Sequence, residues 1–335
     1  MTTRLIFGSS EVGRQMGIGD TTIALENFLH RGHTEIDSAR VYGEYPGQTE
    51  EILGQIPLEI KAKCKIATKA SPRWSKEGLT PDAIRKQLDA SLKDLGMSSI
   101  DMLYLHWADP DTPLEKTLQG CHELYAEGKF KELAVSNYSS WEVAKMCEIC
   151  KTHGFVMPTV YQGMYNVITR DVEKELFPCL RHYGIRFYAY NPTAGGFLTG
   201  RYKFEDAENP KSQQPSRFFA IGGKWAEINR KRYWWKENFV GYDLVHETLK
   251  TVYGTKEDGT PAVSVLQAAF RWLKHHSKLS KEHGDGIILG CSKLTHMEDN
   301  LASLEGGPLD ERVVAAQNEA WNMAKRTCPS YVRQM

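Results

Sequence analysis

The sequence lacks the features that would tie it to a membrane, to nucleic acid or to a disulfide scaffold. No apolar run approaches the roughly 18 residues that a membrane span requires. Formal net charge is zero, from 42 Lys and Arg against 42 Asp and Glu. The basic residues are scattered along the chain, so neither a nucleic-acid surface nor an anionic membrane is expected as a partner. Seven cysteines among 335 residues is an odd number in a long chain, which argues against a disulfide framework. Cys147 and Cys150 form a C-x-x-C pair, yet no second pair follows at finger spacing. Both fall within a helical pattern over 141–151, so they read as buried helix thiols, and no metal is expected. The opening Met1-Thr2-Thr3-Arg4-Leu5-Ile6-Phe7-Gly8 has no signal-peptide core, which points to the cytosol. Internal repeats, coiled coils and low-complexity tracts are absent as well.

What is present is an alternation of short apolar runs with helical patterns. Strand-like runs end at Gly8, Asp37, Lys69, His106, Asn137, Gln162, Asn191 and Gly290. Helical patterns separate them, at 21–30, from 50 to 54, and at 81–95 behind the Thr80-Pro81 cap and before the Gly96 stop. More follow at 117–125, 141–150 and 172–183, the last with an internal Pro178 that should kink or break it. Eight near-continuous apolar strands without hairpin signals predict a closed parallel (β/α)8 TIM barrel, an α/β fold formed as one domain over 1–335. A doubly wound open sheet is disfavoured because no G-x-G-x-x-G opens the first helix. The interval of about 200–282 is too long for a plain connection and reads as an insertion between strands 7 and 8 that covers the site. It holds an Arg- and aromatic-rich stretch and a helix at 263–275; flank packing is the competing reading of its tryptophans.

In such a barrel the active site forms where the carboxyl ends of the strands meet their loops. Asp37, Lys69 and His106 close successive strands there, with Tyr42 in the loop after Asp37. A phenol titrates near ~10 and is a poor acid at neutral pH without help. A neighbouring ammonium stabilises the phenolate, and a carboxylate keeps that ammonium charged and oriented. An imidazole on the next strand can bond the substrate oxygen. Such a group would stabilise and protonate the oxygen of a carbonyl that accepts hydride at carbon. Singly, each residue has a plainer reading: an interior ion pair, a loop aromatic, a core histidine. Four at successive strand ends favour chemistry.

On these residues the chain resembles the aldo-keto reductases, in the branch of aflatoxin-aldehyde and succinic-semialdehyde reductases. The motifs are Gly32-His33-Thr34-Glu35-Ile36-Asp37, Tyr104-Leu105-His106, Val135-Ser136-Asn137-Tyr138, Val160-Tyr161-Gln162-Gly163-Met164-Tyr165-Asn166, Asn191-Pro192 with Ala194-Gly195-Gly196, and Cys328-Pro329-Ser330-Tyr331-Val332-Arg333. The resemblance implies that Tyr42 is the general acid, with Asp37, Lys69 and His106 in the supporting roles. It also implies NADPH, lying extended across the barrel mouth. Ser136, Asn137 and Gln162 would hold the carboxamide and Tyr190 would stack on the nicotinamide. Asn191, Pro192, Gly195, Gly196, Leu198, Gly200 and Arg201 would approach the pyrophosphate, with Arg217 adding a cation. Ser292, Lys293, His296 and Asn300 would grip the 2′-phosphate and adenine. Many relatives carry arginine where His296 stands, and a neutral histidine binds phosphate less firmly.

The expected partner is a small carbonyl substrate. Arg232 and Arg333 match positions that face acidic substrates in this branch, and guanidinium suits a carboxylate. Trp107 would form a pocket wall beside His106. Glu44-Tyr45-Pro46 lengthens the loop after Tyr42, and Thr193 stands where leucine is usual, which leaves the particular aldehyde open. Two other functions stay in view: a biosynthetic aryl-alcohol dehydrogenase, and a non-catalytic NADPH-sensing subunit like the potassium-channel β-subunits. Relatives in this branch are often dimers, so a homodimer stays open too.

Overall fold

The computed structural model describes residues 4–332 apart from 75, 209–213, 215 and 220–223. Eight parallel strands close into a barrel in sequence order: β1 (Arg4–Gly8), β2 (Glu35–Asp37), β3 (Lys65–Ala70), β4 (Ile100–Leu105), β5 (Phe130–Ser136), β6 (Pro158–Met164), β7 (Arg186–Tyr190) and β8 (Gly286–Gly290). β8 pairs back onto β1, with Gly290 beside Gly8. The expected (β/α)8 barrel is therefore the observed one.

Strand alternation sorts the side chains into two layers. Ile6, Ala67, Met102, Tyr104, Ala134, Val160, Tyr188 and Ile288 fill the barrel interior. Phe7, Ile66, Leu103, Leu133, Tyr161, Phe187 and Leu289 point outward into the larger core shared with the helices. The strands are buried on both faces, which is why they read as continuous apolar runs.

Helices α1 (Ile18–His30), α2 (Gln48–Gly54), α3 (Leu58–Lys61), α4 (Pro81–Leu95), α5 (Leu114–Ala126), α6 (Ser140–His153) and α7 (Leu176–Tyr183) wrap the first seven strands. The Thr80 hydroxyl caps α4 from the Ala83 amide, and Gly96 ends it with a left-handed φ of 63°. Ser139 and Glu142 form a capping box on α6, the signature that fixes its start. Pro178 does not kink a helix over 172–183. A 3-10 turn (Asp171–Glu173) comes first and α7 begins only at Leu176, which puts Pro178 in its first turn, where a missing amide costs nothing.

Between β7 and β8 lie α8 (Lys224–Tyr233), α9 (Lys236–Tyr253) and α10 (Val265–His275); α11 (Leu294–Glu305) and α12 (Glu311–Ala324) follow β8. The insertion is thus more helical than its polar, aromatic sequence suggested. α9 packs against α12 so closely that a Cβ on Gly241 would sit 2.9 Å from the Ala320 methyl. Trp234 packs among Tyr202, Phe218, Phe219 and Phe239, so the packing reading is the right one for it, whereas Trp235 is 42% exposed.

α2, which follows the loop carrying Tyr42, lies tight against α4. A Cβ on Gly54 would press into the carbonyl oxygen of Asp94, backbone that cannot yield cheaply. Gly54→Ala should lower the free energy of unfolding by about 1–3 kcal/mol through overpacking, read by urea titration. A variant as stable as wild type would mean that α2 and α4 are not packed this closely.

Candidate active site

The four predicted groups meet at the carboxyl rim. Lys69 follows the alternation of β3 into the barrel. Its Nζ donates to Asp37 Oδ1 at 2.5 Å and to the Ser38 carbonyl at 2.7 Å. The ammonium lies 5.1 Å from the ring centroids of both Tyr42 and Tyr104, as a cation between two aromatic faces. Gln162 Nε2 donates to the same Asp37 oxygen at 2.7 Å. The His106 ring stands edge-on to Tyr42, with centroids 6.1 Å apart and planes at 82°. Trp107 stacks on His106 at 3.5 Å, and the Arg73 guanidinium lies 4.5 Å from the Trp107 ring.

Full burial pushes the Lys69 ammonium below its ordinary pKa, while Asp37 and then Glu50 hold the proton on. Burial drives the Tyr104 phenol well above its usual range, so it stays neutral over the lysine. A buried ammonium held by a buried carboxylate is the electrostatic partner a nearby phenol needs to give up a proton.

A second group of rim residues lies across the barrel mouth. Asn137 Nδ2 donates to the His106 carbonyl and to Ser136 Oγ, both at 2.9 Å, and Tyr190 donates to Asn137 Oδ1 at 3.0 Å. Asn191 Nδ2 donates to Tyr233 Oη at 2.6 Å, and its Oδ1 accepts from the Gly195 amide at 2.7 Å. Asn137, Asn191 and Ala194 have positive φ of 66°, 62° and 52°, and Gly195, Gly196 and Gly200 share that half of the map. Non-glycine residues held left-handed at one rim are strained, and strain collects where backbone must be aimed at a ligand.

At the end of β8 a cavity of about 310 Å³ is lined by Gln15, Asp20, Ser292, Lys293, Leu294 and Thr295. It opens at the amino end of α11, whose first turn carries no acid and whose cap residue, Lys293, makes no capping bond. Ser292 Oγ lies 3.1 Å from His296 Nδ1. Burial, Lys293 and Arg201 hold the His296 imidazole below its ordinary pKa. Asn300 is buried nearby on α11. Arg217 forms an ion pair with the buried Glu11, which ties the insertion to the loop after β1. Pro192 and Leu198 are buried within the 191–200 loop, and Gly200 and Arg201 are exposed at its end.

Arg232 is half-buried on α8 beside Tyr233, the partner of Asn191. Arg333 lies outside the described residues. The sequence reading missed Gln15, in the loop after β1, and Asp20, in the first turn of α1. It missed Arg73 too, which is separated from His106 by more than thirty positions. Tyr104 was legible only as part of a motif, and Glu50 only as a helix start. No spacing rule links any of them to the site.

A closed barrel with an ammonium, a carboxylate, a phenol and an imidazole at its carboxyl rim has the architecture of a TIM-barrel enzyme, with groups able to move a proton gathered where such enzymes place their sites. The chain belongs to the aldo/keto reductase family, whose model matches residues 4–322. Similar proteins include human aflatoxin B1 aldehyde reductase member 2, 50% identical over 98% of this chain and 89% of the human protein. Human aldo-keto reductase family 7 member A3 is also 50% identical, over 98% of this chain and 96% of its own length. The aldo-keto reductase pigE of Monascus ruber is 34% identical over 94% of this chain and 90% of its own.

The family implies a nicotinamide cofactor, and the rim fits one. A Cβ built on left-handed Gly196 would meet nothing within 4 Å, so backbone there is open to approach. The cavity at α11 offers amides, a hydroxyl and an ammonium, a donor set suited to phosphate, although Asp20 shares its wall. Membership also makes the chain an oxidoreductase.

The Asp37–Lys69 pair is almost wholly buried, with 5% and 0% of the two side chains exposed. Removing one partner strands the other charge. Lys69→Met should therefore cost about 3–5 kcal/mol of stability, and Asp37→Asn/Lys69→Met markedly less, as chemical denaturation would show. Equal losses in the two variants would mean that the pair is not ionised in the folded state.

Proposed function

We propose that the protein reduces aldehydes, and reactive ketones, to primary or secondary alcohols with NADPH. The observation that carries this reading is Lys69, sealed between Asp37 and the ring of Tyr42 at the barrel rim. Tyr42 gives its hydroxyl proton to the carbonyl oxygen as negative charge develops there. Lys69 stabilises the phenolate left behind, and Asp37 keeps the ammonium charged and in place. His106 hydrogen-bonds the same carbonyl oxygen and restricts its approach, with Trp107 stacked behind it as a wall of the pocket. When bound, the reduced nicotinamide supplies the hydride.

Ser136, Asn137 and Gln162 would hold its carboxamide, and Tyr190 its ring. The left-handed loop of Asn191, Pro192, Gly195, Gly196, Leu198, Gly200 and Arg201 would turn backbone toward the pyrophosphate. Arg217 would exchange Glu11 for a phosphate oxygen. Ser292, Lys293, His296 and Asn300 would take the 2′-phosphate and adenine, which is the basis for NADPH over NADH. The names of the two human aflatoxin B1 aldehyde reductases, members 2 and 4, support an aldehyde as substrate. Arg232, and Arg333 near the end of the chain, favour substrates that carry a carboxylate. Seven free cysteines support a reducing compartment such as the cytosol.

Tyr42→Phe should bind NADPH with unchanged affinity and lose roughly 10²–10⁴ of kcat, the usual worth of a positioned acid. Quenching of tryptophan fluorescence reads the first and steady-state reduction of 4-nitrobenzaldehyde the second. A variant that keeps most of its turnover removes Tyr42 from the role of acid.

The depressed pKa of His296 has a sign that can be checked. The ring is neutral at neutral pH and gains charge only in more acid solution, so the ratio of NADPH to NADH affinity should rise as pH falls. His296→Arg should flatten that dependence and raise the ratio at neutral pH by about ten- to a hundredfold, a charge-assisted bond being worth about 1.5–3 kcal/mol. A ratio independent of pH in wild type would place the 2′-phosphate elsewhere.

A further inference from the structure

The segment that carries Tyr42 and the strand that carries Lys69 share a buried carboxylate which the tetrad does not include. Glu50, on α2, has no exposed surface. Its Oε1 accepts from Thr68 Oγ1 at 2.5 Å and its Oε2 from Arg40 Nη1 at 2.9 Å. Thr68 immediately precedes Lys69, and alternation sends the lysine into the barrel and the threonine out to the helix layer, where Glu50 waits. Arg40 stands two residues before Tyr42. It also donates to Asp94 Oδ2 on α4 at 2.5 Å and lies 5.1 Å from the Trp74 ring. The Gly47 amide bonds the Arg40 carbonyl at 2.7 Å, which closes the Tyr42 loop on itself.

We propose that Glu50 is a positioning residue for the proton-delivery group, a second carboxylate that registers the Tyr42 loop against β3 and acts on Lys69 from behind the strand. A fastening of the Tyr42 loop to α4 alone would need only Arg40 and Asp94. Complete burial of a second carboxylate is costly, and the cost is met here by Arg40, Thr68 and Ser91. The charge reaches further than its hydrogen bonds, because Glu50 adds to Asp37 in holding the proton on Lys69. The titratable and polar groups around Glu50 are Arg40 from the loop after β2, Thr68 from β3 with Lys69 on the opposite face of that strand, and Ser91 with Asp94 from α4. Burial raises its carboxyl above the ordinary range, and Thr68, Ser91 and Arg40 each draw it back.

The inference rests on Tyr42 as proton donor, and two measurements keep the two ideas apart. The first is the pH profile of kcat for 4-nitrobenzaldehyde at saturating NADPH. The second is the phenolate absorbance of the ligand-free protein, with Tyr42 isolated by subtracting the matching Tyr42→Phe variant. Loss of a negative charge favours phenolate and disfavours ammonium, so both midpoints move the same way. In Glu50→Gln the alkaline limb of kcat and the Tyr42 ionisation should each shift down by about half to one pH unit, with NADPH affinity unchanged.

Glu50→Asp withdraws the charge from the strand by one methylene and should give a smaller shift in the same direction. It decides the matter if the glutamine variant fails to fold. Unmoved midpoints in the folded variant overturn the proposal. So does a loss of kcat with both midpoints in place, which marks a merely structural fastening. An active Tyr42→Phe enzyme would instead sink the proton-donor reading, while the absorbance titration still reports on Glu50.

Discussion

The structure turns on one buried ion pair. Lys69 is sealed from solvent, and its ammonium is held by Asp37 at 2.5 Å and the Ser38 carbonyl at 2.7 Å. An interior ammonium without such partners would shed its proton, since desolvation penalises the charged form. The barrel makes the pair possible. Parallel strands in sequence order put the end of β2 beside β3, with Asp37 in register with Ala67, so the carboxylate reaches the lysine two residues on. The chemistry proposed for Tyr42 rests on that arrangement. The phenol has an ammonium over its face, and the ammonium is locked from the far side.

Polar groups packed into a rim must satisfy one another, and here they do so in a chain. Gln162 serves Asp37, Asn137 serves His106 and Ser136, Tyr190 serves Asn137, and Asn191 meets Tyr233 from the insertion. Such networks hold side chains in single orientations, because a lone unpaired member in low dielectric is costly. The rigidity is concentrated at the end of the barrel where backbone is also strained. Asn137, Asn191 and Ala194 accept left-handed conformations there that a looser scaffold would relax. The fold keeps its stability in the strand and helix layers and places its strain where the carbonyl chemistry is proposed.

Much of this was legible in the chain. Continuous apolar runs separated by capped helical patterns are what strands buried on two faces must look like, so the barrel and its strand ends could be read before any coordinates. Asp37, Lys69 and His106 stood out because an ionisable residue closing an apolar strand has few plain explanations, and three in succession fewer still. Pro178 misled because a proline inside an apolar pattern reads as a break, whereas it occupies the first turn of a helix that starts later. The insertion misled because α8 and α9 carry mixed polar and aromatic residues, and the helix is sustained by packing on α12 rather than by a clean periodicity.

The residues that support the site were the hardest to see. Glu50 stood only at the start of a helical pattern, and Arg73, Arg40, Gln15 and Asp20 carried no reading of their own. Sequence by itself determined the architecture and which ionisable residues close its strands, because local burial pattern and strand period are written residue by residue. Only the tertiary structure decided that Glu50 lies behind Lys69, that Glu11 holds Arg217, and that α11 opens on a cavity beside Lys293. Those contacts join positions from 18 to 206 residues apart. The closure of the barrel brings them within bonding distance, and no local propensity encodes a distance across a closed sheet.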